Sequence, residues 1–412
     1  MEFKTARKTF DKTLRQEEQK FTKERREKIQ TLNTSNPKEF WNEIRKLGPG
    51  RKNTIIDNVV MDDGTYSNDP NVIRERWKEE YSELFSENTT NVDNEFMERI
   101  KALNSQWELE FEQLRVNVDD NESQHDEITI EETKLEAGVR QGDNLAPTLF
   151  AVFVDDLVTE INRIGKGINI GTDSLSCLLY ADDIVLISDT VDGLQSLLHC
   201  VTDWSKTWRL KVNTDKTKIM HVRKASKPKN DYAFQLNNMT LETVSKYRYL
   251  GLVINEHLDY KETTNELVSS GSRSLGSLVS KYYAMDGMDF DTYTKIFDST
   301  VLPILEYGSG VWGHKRYDSL ERLQYRAIRT FLGVSLTTPI PAITGDMGWY
   351  PIHHRIQVNI VRLYCRLVKL PDTRICRKVF LWDQNMSTRY RDTWFNHAKK
   401  LFDSCGLNDV LF

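Results

Sequence analysis

Two short apolar runs flank a pair of adjacent carboxylates in the middle of the chain, in the stretch CLLYADDIVLIS from Cys177 to Ser188. Each run has the length and composition of a β-strand, and Asp182 and Asp183 lie where a tight turn would join the two strands. Because burying a carboxylate without a partner is costly, the acids belong at an exposed tip or in a site that uses their charge. The stretch therefore predicts a β-hairpin whose acids serve either as turn residues or as metal ligands.

Composition excludes several classes of protein. The chain has 412 residues, 39% hydrophobic and 28% charged, which is ordinary for a protein of two or three domains. No apolar run reaches the ~20 residues that cross a membrane, and the charged N-terminus lacks the apolar core of a signal peptide. We therefore expect no membrane partner and an intracellular protein, nuclear or cytoplasmic. The five scattered cysteines contain no CxxC pair, which argues against a zinc module and a disulfide framework.

Charge is unevenly distributed along the chain, although the net charge is only -5. The first 52 residues are basic, residues 57–136 are acidic, and a second basic cluster runs from Lys206 to Lys229. Trp204 and Trp208 lie beside that cluster. A solvated surface explains such a cluster, and contact with nucleic acid through cations and aromatic rings is the alternative.

Composition and periodicity divide the chain into four segments. Residues 1–52 form a basic segment with predicted helices, and residues 53–113 contain a predicted hairpin, an amphipathic helix and an acidic linker. Residues 114–255 alternate predicted strands and helices, with one helix from Leu145 to Arg163 and one strand at YRYLGLVI. Residues 256–412 are mainly helical. This arrangement predicts an α+β fold.

Four motifs follow one another in order: GVRQGDNLAPTLFAVFVDDL, LLYADDIVLI, WRLKVNTDKTKIM and YRYLGLVI. The series resembles the palm of a reverse transcriptase, most closely those of non-LTR (LINE-type) retrotransposons. The resemblance continues before the palm in FWNEIRKL and after it in VLPILEYGSGVWG. It implies a palm between N-terminal helices and a thumb-like, mainly helical C-terminal region. It also implies an RNA-directed DNA polymerase that uses an RNA template, a DNA primer and dNTPs.

The resemblance also implies roles for particular residues. Asp182 and Asp183 would bind catalytic Mg²⁺, and Lys216 would stabilise or protonate the pyrophosphate leaving group. A second set would border the nucleotide, the template and the primer end: Arg140, Gln141, Gly142, Tyr180, Ala181 and Asn213. A third set resembles the primer grip: Tyr249, Leu250 and Gly251. Two alternatives stay open, namely that Lys216 is an exposed loop lysine and that residues 249–251 are an ordinary buried strand with a turn.

One element of the family pattern is missing. The family requires a further aspartate on an upstream palm strand, in a signature like D…AFD. We find no such signature before Leu114. The chain after Leu114 resembles the strand pair that normally follows that aspartate, which indicates an internal truncation between about Ser105 and Leu114. A deletion and a mis-joined gene model would look the same. Other acids fit turns, caps or helix surfaces better than a metal site: Asp119, Asp120, Asp143, Asp155 and Asp156.

The missing strand has two expected consequences. Asp182 and Asp183 alone do not complete a two-metal centre, so we expect polymerisation to be lost or very weak. The palm would be incomplete, and the hairpin of residues 177–188 would expose a hydrophobic edge. The leading hypothesis is a catalytically defective reverse-transcriptase-like protein of retrotransposon origin. The alternatives are a non-enzymatic nucleic-acid-binding module, a helical interaction protein or a relic of a retroelement.

Overall fold

The structure is a computed structural model, and it describes residues 2–47, 59–61, 65–69, 71–76 and 146–406. The predicted strand pair after Leu114, the acidic linker and the loop with Arg140, Gln141 and Gly142 lie outside the described residues. The chain divides into two compact units, residues 1–51 with 156–412 and residues 52–155. Each unit is described by itself.

Residues 52–155 contribute a small hairpin and helical segments to the described part of the chain. Strand β1 (Val59–Val60) pairs with β2 (Tyr66–Ser67) in antiparallel register. The pairing confirms the predicted hairpin, although its DDG turn lies outside the described residues. Residues 71–76 are helical, as predicted from the amphipathic pattern, and helix α3 covers Ala146–Phe153.

The helix predicted from Leu145 to Arg163 is in fact two helices, because α3 ends at Phe153 and α4 covers Asp155–Ile164. The Asp156 carboxylate accepts a hydrogen bond of 2.7 Å from the backbone N–H of Leu157. In a continuous helix that N–H would point at the carbonyl of Phe153. An aspartate that bonds the neighbouring backbone competes with helical hydrogen bonds, which accounts for the break.

Two helices begin the other unit, as predicted. Helix α1 covers Glu2–Ser35 and α2 covers Pro37–Arg45. Asn36 separates them and caps α2, because its side chain accepts a 3.1 Å hydrogen bond from the backbone N–H of Glu39. The apolar side chains Ile29, Phe40 and Ile44 are buried in the core formed with the C-terminal helices.

Small two-stranded sheets follow in the middle of this unit. The strands are β3 (Ile168–Ile170), β4 (Asp173–Leu175), β5 (Cys177–Tyr180), β6 (Asp183–Leu186), β7 (Lys218–Ile219), β8 (Gln235–Leu236), β9 (Met239–Thr240), β10 (Glu242–Thr243), β11 (Lys246–Tyr249) and β12 (Leu252–Asn255). Strand β7 pairs with β10 in parallel, and the other pairs are antiparallel hairpins of consecutive strands. No sheet within the described residues has a third strand.

The prediction of one strand at YRYLGLVI was wrong, because β11 and β12 are two strands of a hairpin. Leu250 and Gly251 form the turn, with φ angles of 46° and 82°. Two successive residues with positive φ match the twist of a tight hairpin. Glycine adopts such angles readily and leucine does not, so only the second turn residue signalled the reversal.

Helix α5 (Val191–Thr207) packs its apolar side against the short strands, as its periodicity predicted. Leu197, Val201 and Trp204 are buried. Leu198 shares a small core with Ile219, Phe234, Leu236 and Leu241. The Gln195 side chain donates to the carbonyl of Gln235 and accepts from its N–H, at 2.9 and 3.0 Å. These two bonds fix strand β8 to the helix.

The rest of the described chain is helical, as predicted. The helices are α6 (Lys261–Ala284), α7 (Phe290–Thr300), α8 (Leu302–Leu305), α9 (Ser309–Trp312), α10 (Asp318–Leu332), α11 (Ile340–Met347), α12 (Ile352–Lys369), α13 (Ile375–Ser387) and α14 (Trp394–Ser404). One apolar core runs through them, with Tyr293 and Trp312 fully buried. Together with the small sheets this is a mixed α+β fold. Among the described helices, none combines the length and apolar character that a membrane span needs.

Candidate nucleic-acid site

The hairpin of β5 and β6, here called the YADD hairpin (residues 177–186), presents the two predicted carboxylates. Cys177 pairs with Leu186 at its base, and Tyr180 pairs with Asp183 at its tip. Ala181 and Asp182 form the two-residue turn, and Ala181 has a φ of 51°. A non-glycine residue in the left-handed region is uncommon, so the turn is strained. The register puts Tyr180 and Asp183 side by side on the same face.

Exposure increases along the YADD hairpin from its base to its tip. Cys177 is buried at the base, whereas Leu178 and Ile184 are each 37% exposed and Tyr180 is 63% exposed. Asp182 and Asp183 are exposed. Both carboxylates therefore face solvent, where they can meet a charged ligand without the cost of burial.

The turn of β11 and β12, here called the YLG turn (residues 249–251), contains a tyrosine that interacts electrostatically with the YADD hairpin. Burial raises the pKa of the Tyr249 phenol above its usual range, and the charge of the Asp183 carboxylate raises it further. The two side chains are thus close enough to interact electrostatically, although 66 positions of sequence separate them. One predicted metal-binding residue, Asp183, is therefore within electrostatic range of one predicted primer-grip residue, Tyr249.

A loop between α5 and β7 adds the third predicted segment. Asn213 uses its side-chain oxygen to accept from the N–H of Lys216 at 3.1 Å, and its carbonyl accepts from the Thr217 hydroxyl at 2.8 Å. These bonds close the loop and leave Lys216 exposed. The Tyr247 hydroxyl donates to the Lys216 carbonyl at 3.1 Å, which attaches the loop to strand β11.

Sequence reasoning did not single out Tyr307, which contacts the YLG turn from the helical region. Its hydroxyl donates to the carbonyl of Leu250 at 2.9 Å. A Cβ atom added to Gly251 would lie 3.2 Å from a carbon of the Tyr307 ring. The motif VLPILEYGSGVWG carried this residue, but no local pattern indicates a contact across 57 positions of sequence.

The aromatic part of the predicted basic–aromatic surface has a different role. Trp204 is buried, and its indole N–H donates to Asp156 at 2.9 Å. The indole N–H of Trp208 donates to the other oxygen of the same carboxylate at 3.1 Å. Asp156, which the sequence suggested as a helix-surface residue, therefore joins α4 to the end of α5. The idea that these tryptophans stack on nucleic acid is wrong at least for Trp204, because its ring is enclosed.

The basic cluster is also partly used within the fold. Arg223 forms an ion pair of 3.4 Å with Glu256, and Lys218 forms one of 2.8 Å with Glu242. Six further lysines of the cluster are exposed: Lys206, Lys211, Lys216, Lys224, Lys227 and Lys229. The last three lie on a short cationic loop. Because the Trp204 ring is enclosed, the cluster does not form a continuous basic–aromatic platform.

The carboxylates of the YADD hairpin do not by themselves fit a two-metal centre. Within the described residues, no group of three or more His, Cys, Asp or Glu side chains could hold a metal ion. Asp182 and Asp183 supply two exposed carboxylates from adjacent positions. A pair of metal ions that holds both the attacking and the leaving oxygen needs a larger donor set.

Comparison with known proteins identifies the domain that contains these segments. Residues 94–254 match the family described as reverse transcriptase (RNA-dependent DNA polymerase). The chain carries a reverse transcriptase domain. The structure describes this domain from Ala146 onward, including the YADD hairpin, the 213–217 loop and the YLG turn. Reverse transcriptases act on a nucleic-acid template and primer, and they use a divalent metal.

Relatives of this domain include RNA-directed DNA polymerases of non-LTR retrotransposons. The RNA-directed DNA polymerase from mobile element jockey of Drosophila funebris is 24% identical over 268 residues, covering 62% of this chain and 28% of that protein. Its counterpart in Drosophila melanogaster is 23% identical over 259 residues, covering 60% and 27%. The Retrovirus-related Pol polyprotein from type-2 retrotransposable element R2DM of the same fly is 31% identical over 123 residues, covering 28% and 11%. The chain spans at most 28% of the length of these three proteins.

Proposed function

We propose that the reverse transcriptase domain binds an RNA template paired with a DNA primer. The 3′ end of the primer lies between the YADD hairpin and the YLG turn. The observation that supports this best is the convergence of three motif segments that are distant in sequence. Asp183 lies beside Tyr249, and Tyr247 is bonded to the backbone of Lys216. A shared ligand explains why a domain of this family keeps these segments together.

Each segment has a chemical part in the proposal. The exposed ring of Tyr180 offers a face on which the terminal base pair can stack. Lys216 presents an ammonium group to the phosphates of an incoming dNTP. Asn213 supports the nucleotide side of the site by closing the loop that carries Lys216. Asp182 and Asp183 lie on the exposed tip of the YADD hairpin, beside the proposed primer end.

We further propose that the domain does not polymerise DNA. The D…AFD signature is missing before Leu114, and Asp182 and Asp183 do not form a complete donor set. Binding of the duplex depends mainly on contacts to phosphates and bases, so it does not need the missing carboxylate. The protein would then be a template–primer binding protein derived from a polymerase.

Two measurements on the full chain test the proposal. Fluorescence anisotropy with an RNA–DNA primer–template should show binding that weakens steeply between about 50 and 200 mM salt. Primer extension with Mg²⁺ and dNTPs should show no product. Extension that disappears in Asp182→Ala would overturn the inactive part of the proposal. Absence of salt-sensitive binding would overturn the proposal as a whole.

A further inference from the structure

The YLG turn has a backbone conformation that its own sequence does not favour. Leu250 and Gly251 both have positive φ angles, and Leu250 is 38% exposed. A leucine with positive φ persists only where surrounding contacts hold it. A contact from outside the hairpin would therefore stabilise this turn further.

Tyr307 supplies the required contacts from the helical region. Its hydroxyl donates to the Leu250 carbonyl at 2.9 Å, so it holds the strained peptide directly. Its ring covers Gly251 so closely that an alanine there would have its Cβ 3.2 Å from the ring. The side chain is 50% exposed, which means that it reaches over the turn instead of packing inside the core.

The backbone of Tyr307 is itself anchored to the helical core. The indole N–H of the fully buried Trp312 donates to the Tyr307 carbonyl at 2.9 Å. Residues on either side of Tyr307 are also held. The Asn359 side chain donates to the Ser309 hydroxyl at 3.0 Å and to the Glu306 carboxylate at 3.3 Å. These bonds link helix α12 to the segment that carries Tyr307. The ring is therefore fixed relative to the core while its hydroxyl contacts the turn.

We infer that Tyr307 is a positioning residue for the 3′ end of the bound primer. It transfers the position of the helical core to the YLG turn. The proposed function places the primer end at this turn, so the inference rests on the proposed function. Without the Tyr307 hydroxyl, the turn would sample other conformations and the primer end would lose its defined place, while the helical core would stay folded.

Tyr307→Phe is the decisive substitution, because it keeps the ring over Gly251 and removes only the hydroxyl. Gly251→Ala tests the ring contact from the opposite side. Tyr350→Phe is the matched control, since Tyr350 is a tyrosine of the same helical region with a 71% exposed side chain. Thermal unfolding of each variant shows whether the fold is retained. We expect Tyr307→Phe and Tyr350→Phe to unfold near the temperature of the unchanged protein. Gly251→Ala should unfold at a lower temperature, because its φ of 82° is unfavourable for alanine.

Two readouts separate positioning from a general structural role. In the free protein, hydrogen–deuterium exchange of amides 246–255 should rise about fivefold in Tyr307→Phe, the equivalent of one lost hydrogen bond. A 2-aminopurine base at the primer 3′ end should change its fluorescence when the unchanged protein binds. In Tyr307→Phe this fluorescence change should be lost. The same base placed far from the 3′ end should report unchanged binding. Tyr350→Phe should leave both readouts unaltered.

The outcomes also distinguish this inference from the proposed function. If the unchanged protein gives no signal at the primer end, the proposed function and the inference both fail. If the unchanged protein gives the signal and Tyr307→Phe keeps it, the inference alone is overturned. Unchanged exchange of amides 246–255 in Tyr307→Phe would also overturn it. A parallel loss at both positions of 2-aminopurine would show that Tyr307 merely maintains the fold.

Discussion

The helical C-terminal region and the hairpins of the reverse transcriptase domain are built in opposite ways. The helices share one continuous core with fully buried aromatic side chains such as Tyr293 and Trp312. The hairpins have two strands each, and the tip of the YADD hairpin is exposed. The residues that match the family motifs thus lie on hairpins with few buried side chains. Contacts such as the hydrogen bond from Tyr307 to Leu250 attach these hairpins to the well-packed helical core.

This contrast teaches that stability and the candidate site are separable in this protein. Substitutions in the helical core should change the free energy of unfolding strongly. Substitutions at the tips of the hairpins should change ligand binding with little effect on stability. Four predictions, in decreasing order of size, test where this division holds.

The same substitution in the two regions should give very different results. Leu275→Ala in α6 removes a fully buried side chain and should lower the free energy of unfolding by about 2–5 kcal/mol. Leu178→Ala in β5 removes a side chain that is 37% exposed and should cost less than about 1 kcal/mol. Urea denaturation measures both values. Equal losses would contradict the division between the regions.

Asp156 lies outside the helical core, but its substitution should lower the free energy of unfolding about as much as a substitution in that core. Asp156→Ala leaves the indole N–H groups of Trp204 and Trp208 without their carboxylate, and one of them is buried. We expect a loss of about 2–3 kcal/mol in urea denaturation. Asp203→Ala, an exposed change on α5, is the control and should stay within about 0.5 kcal/mol. A loss no larger than the control would mean that the two bonds contribute nothing.

Acid should weaken the helical region through His314. Burial lowers the pKa of its imidazole below the usual value of about 6.5, and the neighbouring ring of His397 lowers it further. A lowered pKa in the folded state gives stability that is present above the unfolded pKa and is lost as pH falls through the folded value. The free energy of unfolding should therefore fall from about pH 7.5 to about pH 5.5. His314→Asn should make this fall shallower, and an unchanged pH dependence would exclude His314 as its source.

The smallest effect is expected at the tip of the YADD hairpin. Ala181 has a φ of 51°, which a glycine adopts without strain. Ala181→Gly should therefore raise the free energy of unfolding, by no more than about 1 kcal/mol. Ala151→Gly in helix α3 is the matched control and should lower it, because glycine is unfavourable in a helix. Destabilisation by Ala181→Gly would contradict the turn described here.

The sequence predicted the elements that depend on local signals. Asn36 and Pro37 marked the start of α2, and the acids of the YADD hairpin marked its turn. The turn at residues 249–251 was only an alternative in the sequence, because a leucine with positive φ has no local signature. The break before Asp156 and its bonds to two tryptophans were missed because they arise from side-chain hydrogen bonds, the latter across about 50 positions. The contact of Tyr307 with the YLG turn is equally non-local.

The candidate site was predicted from the order of four motifs along the chain. The types of side chain in these motifs would not have identified it by themselves. The ordered motifs indicated the family, which the match of residues 94–254 shows. The proximity of Asp183 to Tyr249 could not follow from spacing, because the fold brings together side chains from separate hairpins. The roles proposed for Arg140, Gln141 and Gly142 remain predictions, since these residues lie outside the described part of the chain.

Photocrosslinking from the primer terminus tests the central claim most directly. An RNA–DNA primer–template with a 4-thiothymidine at the primer 3′ end is irradiated in complex with the full chain, and the linked peptides are identified by mass spectrometry. The proposed site predicts crosslinks to peptides that contain the YADD hairpin and the YLG turn, and their loss in Tyr307→Phe. Crosslinks confined to other peptides, such as the cationic loop at residues 224–229, would contradict the claim that these hairpins form the binding site.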